Sequence, residues 1–150
     1  MAGTHMTTFA ENRRARHDYE SLEEFDAGIV LVGHEVKSVR EGGANLAGSY
    51  LSFDGGELFL TGMHIAPYKK AGRLTGYDPA RRRKALLRKS ELRSLRGKTE
   101  QKGLTLVPFS LYARGRTIKL KFGLCHGKKK YEKKAKLKSR ISEREIREHL

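Results

Sequence analysis

Two turns, each flanked by alternating apolar and polar residues, constrain the fold of this chain most. The first, Asp54-Gly55-Gly56, lies between alternating runs within residues 49–60, and the second is Arg114-Gly115-Arg116. A period of two residues is typical of half-buried strands, and Asp-Gly between such runs marks a tight hairpin turn. The sequence therefore predicts two antiparallel hairpins. In the second hairpin, Lys119 and Lys121 are expected on the face opposite to the apolar residues.

Helical signals are shorter than these strand signals. Val32, Val36 and Val39 recur at i, i+4 and i+7, which predicts a short helix with one buried face. Ser90 is placed to cap a second helix that ends near Gly97. Several short strands with two short helices favour a mainly β fold. We expect a small closed antiparallel β-barrel of the OB type.

The segments around these elements complete the predicted domain organisation. Residues 1–6 read as a cloning remnant, and residues 7–126 are predicted to form the barrel domain with a basic N-terminal arm at residues 12–16. Residues 17–32 read as a strand that ends in a short buried run from Gly28. The polar loop at residues 69–79 is expected to be mobile.

The last segment, residues 127–150, is predicted to be a basic tail. Residues 126–140 hold eight Lys or Arg residues and one acid, Glu132, and the apolar pattern stops there. Helix nucleation is costly and this segment offers little apolar area to bury. We therefore expect the tail to be largely disordered alone and to become helical on a binding partner.

The charge balance predicts a polyanionic partner. The 150 residues carry a net charge of +15, from 32 Lys and Arg against 17 Asp and Glu. No apolar run approaches the ~20 residues that a membrane-spanning helix needs. No basic amphipathic stretch carries the broad apolar face of a helix that lies on a membrane. Nucleic acid is therefore favoured over a membrane surface, and the composition does not choose between RNA and DNA.

Motifs for catalysis, metals and disulfides are weak. Cys125 is the one cysteine, which excludes an internal disulfide and fits a reducing cytoplasm. The histidines lie far apart, without C-x-x-C or H-E-x-x-H spacing, so we expect no metal and no cofactor. No nucleophile elbow or phosphate-binding glycine loop occurs. A ribonuclease that uses His17 rests on residue type alone, and a protein that is not an enzyme is the preferred interpretation.

Basic residues gather in three clusters, at residues 13–16, 81–88 and 128–140. Lys and Arg neutralise phosphates and release counterions, and Tyr131 in the last cluster is a candidate for stacking on a base. Any one cluster could equally be a solvated face. Three clusters together with the net charge favour nucleic-acid binding.

Seven blocks of this sequence, taken in order, closely resemble the SmpB family, the SsrA-binding proteins of bacteria. The blocks are NRRARHDY (12–19), AGIVLVGHEVKSVR (27–40), ANLAGSY (44–50), MHIAPY (63–68), DPARRRKALLRK (78–89), KGLTLVP (102–108) and GKKKYEKK (127–134). Together they cover nearly all of the chain after residue 8. One departure is Glu132-Lys133-Lys134, where the family commonly has Asp-Lys-Arg; Lys keeps the charge but loses the bidentate fork of Arg.

The resemblance implies a six-stranded OB-type barrel with three helices and a basic tail. It also implies binding to the tRNA-like domain of tmRNA and a cytoplasmic role in trans-translation, as a monomer. In that process alanyl-tRNA synthetase charges tmRNA and EF-Tu carries it to stalled ribosomes. The tail of an SmpB-like protein enters the decoding centre and mRNA channel of the small subunit. The alternative is a ribosomal or other OB-type RNA-binding protein without a tmRNA role.

The resemblance also assigns roles to individual residues. Asn12 and Leu86 occupy tmRNA-binding positions, and Asp26 falls where the family often has Glu; this carboxylate could accept from base amino groups or orient an Arg. With the basic clusters, the predicted RNA-binding set is Asn12, Arg13, Arg14, Arg16, His17, Asp26, Lys37, Arg81, Arg82, Arg83, Lys84 and Leu86. The predicted ribosome-contacting set in the tail is Gly127, Lys128, Lys129, Lys130, Tyr131, Lys133 and Lys134.

Overall fold

The computed structural model describes residues 6–101 and 103–127, with the backbone alone at Met6. This part of the chain is mainly β, with nine strands and three α-helices. The strands are β1 (Met6–Glu11), β2 (Tyr19–Ile29), β3 (Ala44–Asn45), β4 (Tyr50–Asp54), β5 (Glu57–Thr61), β6 (His64–Ile65), β7 (Arg83–Leu86), β8 (Leu104–Arg114) and β9 (Thr117–Gly127). The helices are α1 (Arg13–Asp18), α2 (Gly33–Arg40) and α3 (Lys89–Thr99), with a 3₁₀ turn at Lys69–Ala71.

Six of these strands form a ring of antiparallel hydrogen-bonded neighbours. The main sheet has the order β1-β8-β4-β5-β7-β2-β9, and β9 also pairs with β8, which closes the ring. The junction between β4 and β8 is narrow, at Leu51 opposite Leu106. β1 lies outside the ring on the other end of β8, and β3 and β6 form a separate two-stranded sheet.

Both predicted hairpins are confirmed. In the first, Asp54 pairs with Glu57 around Gly55 and Gly56, whose φ angles of 62° and 86° are readily adopted only by glycine. In the second, β8 and β9 pair around the predicted turn at residues 114–116. The hairpins are local structures, so a short-range signal was sufficient to identify them.

The main core fills the inside of the ring. Alternate residues of the strands point inward, among them Leu58, Leu60, Leu120 and Phe122, all fully buried. Val39 of α2 and Leu95 of α3 join the same cluster. The intervening Lys119 and Lys121 of β9 are only partly buried, as the alternation predicted.

The predicted α2 helix is confirmed, but the run before it is not buried. Val30 and Val32 are 43% and 45% exposed. The register explains this, because the last residue pair between β2 and β7 is at Ile29, and beyond the Val30 N–H, which donates to the Lys84 carbonyl at 2.9 Å, the chain leaves the sheet. The Glu35 carboxylate accepts a 3.0 Å hydrogen bond from the Val32 N–H and thereby closes the first turn of α2.

Three segments differ from the prediction. The basic arm is a short helix, α1, and part of the second basic cluster is the strand β7. Helix α3 follows Arg88 rather than Ser90, because Glu91 accepts from the Arg88 N–H at 3.3 Å, and Gly97 lies inside the helix. The mobility expected of the loop at residues 69–79 stays a prediction; near the end of this loop the Tyr77 hydroxyl donates to the Ile65 carbonyl at 2.9 Å.

Candidate nucleic-acid interface

Helix α1 packs on the outer face of the ring. Asn12 fixes its start: its Oδ1 accepts from the Ala15 N–H at 3.3 Å, and its Nδ2 donates to the Pro108 carbonyl on β8 at 3.1 Å. Ala15 joins a small second core with Val107, Phe109 and Cys125. Asn12 therefore attaches the predicted basic arm to the sheet, whatever contact it makes with RNA.

Gly123 allows this second core to lie close to the sheet. A Cβ atom at Gly123 would stand 2.5 Å from Cε2 of Phe109, so no larger residue fits beneath that ring. The Arg16 guanidinium lies 4.2 Å from the centroid of the Phe109 ring and 3.4 Å from Glu24. Arg16 thus lies over the Phe109 ring on the outer face, beside Glu24 of β2.

The strand register brings Asp26 and Leu86 onto this same outer face. Asp26 is opposite Lys121, and Gly28 is opposite both Lys119 on one side and Leu86 on the other. Directly opposed residues in antiparallel strands share a face, and residues two apart along a strand share it as well. Glu24, which bonds Arg16, precedes Asp26 by two residues, so α1 and the Asp26 row are neighbours on one surface.

A groove of about 570 Å³ opens on this surface, and we call it the outer groove. Its lining residues are Asp26, Leu86, Leu87, Arg88, Glu91, Arg114 and Lys119. Leu86 is 49% exposed here. An exposed leucine among three cations offers apolar contact together with sites for phosphate.

Asp26 is held in the outer groove by a tyrosine from β8. The Tyr112 hydroxyl donates to Oδ1 of Asp26 at 2.7 Å. Burial of Tyr112, followed by its hydrogen bond to Asp26, raises the pKa of its hydroxyl to about 12. The hydroxyl is therefore protonated at neutral pH and acts as a donor to the carboxylate.

The cations of the outer groove differ in their partners from most cations of the predicted RNA-binding set. Among residues 6–101 and 103–127, no carboxylate pairs with Arg88, Arg114 or Lys119. His17 Nδ1 lies 3.2 Å from Oδ1 of Asp18. Most arginines and lysines of the predicted set are instead paired with acids, among them Arg13 with Glu11 (3.7 Å), Arg14 with Asp18 (3.6 Å), Arg82 with Asp54 (2.8 Å) and Lys84 with Glu57 (3.2 Å). Exposed pairs of this kind are weak and exchange readily with phosphate.

The prediction of an RNA contact by Arg83 is wrong, because its side chain is fully buried. Its guanidinium bonds Glu35, the Met63 carbonyl and the Pro79 carbonyl. Arg81 also bonds Glu35, and its side chain is 32% exposed. The cluster at residues 81–84 therefore divides between the interior and the surface, with Arg82 and Lys84 outside.

The remaining predicted residues lie in other places. Asn12 and Arg14 line a separate cleft of about 500 Å³ with Tyr19 and Tyr50. Lys37 on α2 lies 5.8 Å from the Tyr68 ring centroid. Gly127 is opposite Tyr19 at the end of β9. The other predicted tail residues, Lys128, Lys129, Lys130, Tyr131, Lys133 and Lys134, lie outside the described residues.

The three cations of the outer groove, Arg88, Arg114 and Lys119, and the tyrosine beneath it, Tyr112, were missing from the predicted set. Lys119 carried a signal, since the alternation placed it on the outer face. No sequence signal identified Tyr112, because its position beside Asp26 depends on the pairing of β2 with β9 and of β9 with β8.

The described residues are also free of two other features, a metal-binding cluster and a membrane-spanning helix. Within the described ranges, no three His, Cys, Asp or Glu side chains are grouped so that they could hold a metal ion. None of the helices in those ranges combines the length and apolar character needed to cross a membrane.

Known proteins of one family are similar to this chain over nearly its whole length. The family model described as "SmpB protein" matches residues 9–150. An SsrA-binding protein of Thermus thermophilus is 51% identical over 144 residues, which are 95% of this chain and 99% of that protein. The SsrA-binding protein of Halothermothrix orenii is 46% identical over 147 residues, which are 98% and 94% of the two chains.

A solved structure is also similar. It is described as "tmRNA-SmpB: a journey to the center of the bacterial ribosome", and its chain is 53% identical with a TM-score of 0.66. The match covers 88% of this chain and 89% of that one. Sequence and structure therefore point to the same family over nearly the whole length.

Proposed function

This chain belongs to the SmpB family, and from that membership we propose that it binds the tRNA-like domain of tmRNA and acts in trans-translation on bacterial ribosomes. The relatives are named SsrA-binding proteins, and the similar structure is described as tmRNA-SmpB in the ribosome. The proposed role is that of an RNA-binding accessory factor in the cytoplasm rather than an enzyme. We further propose that the ring of six strands is a barrel of the OB type, a fold that commonly binds nucleic acid.

The observation that supports tmRNA binding most is the composition of the outer groove. Two residues at family tmRNA-binding positions, Asp26 and Leu86, line it together with Arg88, Arg114 and Lys119. The cations supply affinity for phosphate through counterion release, which is independent of sequence. The leucine and the carboxylate supply apolar contact and hydrogen bonding to bases, which depend on the RNA.

The C-terminal tail is proposed to contact the ribosome rather than tmRNA. In this proposal residues 127–150 enter the decoding centre and mRNA channel of the small subunit, Gly127 begins the tail, and the lysines of the tail neutralise ribosomal RNA. Tyr131 would stack on a base. Alanyl-tRNA synthetase and EF-Tu are proposed as partners through tmRNA, and the protein is proposed to act as a monomer.

The direct test is binding selectivity measured with the full chain. We expect affinity for tmRNA to exceed affinity for an elongator tRNA at ~150 mM salt, where contacts that depend on charge alone weaken. Leu86→Ala should weaken tmRNA binding, whereas Lys70→Gln, a change on an exposed 3₁₀ turn, should leave the selectivity intact. Equal affinity for both RNAs would favour a general OB-type RNA-binding protein and contradict the proposal.

The two proposed surfaces are tested by separating their effects. Tyr131→Ala is expected to keep tmRNA affinity within twofold and to abolish tagging of stalled nascent chains in a reconstituted translation system. Asn12→Ala and Leu86→Ala are expected to weaken tmRNA binding itself. If Tyr131→Ala lost both activities together, the division between groove and tail would be wrong.

A further inference from the structure

We propose that Tyr112 is a positioning residue that fixes the Asp26 carboxylate in the outer groove, so that the second carboxylate oxygen reads a donor on an RNA base. The inference rests on the proposed function and deepens it, since it concerns the same groove. It assigns Asp26 to base recognition rather than to the orientation of an arginine.

The geometry leaves half of the Asp26 carboxylate available. Oδ1 accepts from the Tyr112 hydroxyl at 2.7 Å. Within the part of the chain that the structure describes, Oδ2 has no hydrogen-bond donor or cation as a partner. Asp26 is exposed at the groove, whereas Tyr112 is only 4% exposed beneath it. The buried ring therefore holds one oxygen in place and leaves the other toward a ligand.

Tyr112 is itself firmly placed. It is opposite Lys119 on β9 and Thr8 on β1, so strands pair with β8 on both sides of this residue. Its hydroxyl remains a donor at neutral pH, because burial and the bond to Asp26 raise its pKa to about 12. A buried tyrosine on a strand that is paired on both sides, with its hydroxyl donating to the carboxylate, restricts the direction of that carboxylate more than solvent could.

A carboxylate in an RNA-binding groove requires an explanation, because it repels phosphate. An ionised carboxylate only accepts hydrogen bonds, so its RNA partners are the amino and imino N–H groups of bases. In tRNA-like folds these edges are accessible in loops, where unpaired bases are exposed. Arg88, Arg114 and Lys119 around the groove offset the repulsion from nearby phosphates. A groove with one carboxylate acceptor surrounded by three cations fits an unpaired RNA base together with the phosphates on either side of it.

The assignment to base reading predicts a particular dependence on salt. A residue that contacts a phosphate, or that aims an arginine at one, contributes to the slope of log K against log salt. A residue that accepts from a base contributes to affinity with little change in that slope. Lys119, which lines the same groove without a carboxylate partner among the described residues, is the internal reference for a phosphate contact.

The experiment measures tmRNA affinity of the full chain at several salt concentrations. Asp26→Asn replaces one acceptor oxygen by a donor and is expected to weaken binding about tenfold, the scale of one charge-assisted hydrogen bond. Tyr112→Phe is expected to weaken binding by about threefold to tenfold, and the double variant no more than Asp26→Asn alone, because the two residues act as a unit. Lys119→Gln is expected to lower the salt slope by about 0.7 to 0.9, whereas the slope stays unchanged in the other variants.

Controls separate positioning from loss of structure. Tyr77→Phe removes a tyrosine hydroxyl that bonds a different carboxylate, Glu35, outside the groove, and should leave affinity within twofold. Asp26→Glu keeps the carboxylate and should restore most of the affinity lost in Asp26→Asn. Unfolding midpoints of all variants are measured in parallel, so that a variant that fails to fold is recognised and the rescue by Asp26→Glu decides the outcome.

Three outcomes would overturn the inference. Asp26→Asn could bind tmRNA as well as or better than the unchanged chain, as expected if the carboxylate only repels phosphate. The losses from Tyr112→Phe and Asp26→Asn could add fully, which would make them independent. Asp26→Asn could lower the salt slope as Lys119→Gln does, which would mean that it aims a cation. If instead the unchanged chain bound tmRNA and tRNA equally, the proposed function itself would fail.

Discussion

Two carboxylates of this protein each bond a tyrosine, and their surroundings are opposite. Asp26 lies in the exposed outer groove and accepts from Tyr112. Glu35 is fully buried and accepts from Tyr77 at 3.0 Å, and also from Arg81 and Arg83. The difference lies in unused hydrogen-bonding capacity: partners surround Glu35, whereas one oxygen of Asp26 has no partner among the described residues.

Glu35 joins three parts of the fold. Its oxygens bond the Val32 N–H at the start of α2, Tyr77 of the loop and Arg83 of β7. Burial alone would raise the pKa of Glu35, but the hydrogen bonds from Arg81 and Arg83 outweigh it and lower the pKa to about 2. The Glu35 carboxylate therefore stabilises the fold, and its oxygens have no further capacity to accept a hydrogen bond from a ligand.

The largest expected effect is that of removing the buried carboxylate. Glu35→Ala leaves the Arg83 guanidinium buried without its anion, which costs about 3–5 kcal/mol of unfolding free energy. Asp26→Ala removes an exposed carboxylate and is expected to cost about 1 kcal/mol or less. Urea unfolding at pH 7 measures both. Equal losses in the two variants would remove the distinction between the two sites.

Acid should act on the Glu35 cluster as well. The pKa of Glu35 is depressed from 4.5 to about 2 in the folded protein. Its contribution is therefore fully present above pH ~4.5 and is lost as the pH falls toward 2. A depression of this size corresponds to on the order of 3 kcal/mol. Unfolding free energy is measured against pH, and Glu35→Gln should flatten the profile in this window. An unchanged profile in that variant would contradict the assignment.

The two tyrosines provide a matched test of smaller size. Tyr77→Phe removes a hydroxyl from the buried cluster and is expected to lower the unfolding free energy by about 1 kcal/mol. It should leave tmRNA affinity within twofold, because Tyr77 does not line the outer groove. Tyr112→Phe is expected to lower that affinity. Titration of tmRNA into both variants distinguishes them, and similar affinities in the two would count against a special role for Tyr112.

The smallest expected effect is at Arg82, the chain neighbour of the buried Arg83. Arg82 forms an exposed pair with Asp54 and lies 3.7 Å from the Phe59 ring centroid. Arg82→Gln is expected to change the unfolding free energy by less than about 1 kcal/mol, and less still in high salt. Thermal unfolding at two salt concentrations measures this. A loss comparable to that of Glu35→Ala would mean that Arg82 belongs to the buried cluster.

Local patterns predicted the parts of the fold that are themselves local. The two hairpins, the α2 helix and the outward direction of Lys119 and Lys121 follow from spacing within a dozen residues. The strand β7 was not predicted, because the buried residue Arg83 is charged at a position where the alternation pattern of a strand requires an apolar residue. Helix α1 was not predicted either, because it has only six residues and buries only one of them, Ala15, so it shows no helical apolar pattern.

The candidate site was predicted in part, with a physical reason for each miss. The resemblance to the SmpB family supplied Asp26 and Leu86, which the structure brings to one groove. The basic cluster at residues 81–84 was interpreted as a single surface, whereas β7 directs alternate residues inward and outward. The sequence alone does not show whether a charged residue of a strand will point into the core or toward solvent.

The sequence by itself determined the hairpins, the mainly β composition, the charge of +15 and the family. The tertiary structure alone decided which charges are available to a ligand. Tyr112 bonds Asp26 across 86 residues of chain, and Arg83 bonds Glu35 across 48. Periodicity reports only on neighbours along the chain, whereas burial and the use of each lone pair depend on which distant strands pair. That pairing makes Glu35 part of the core and leaves Asp26 open to solvent.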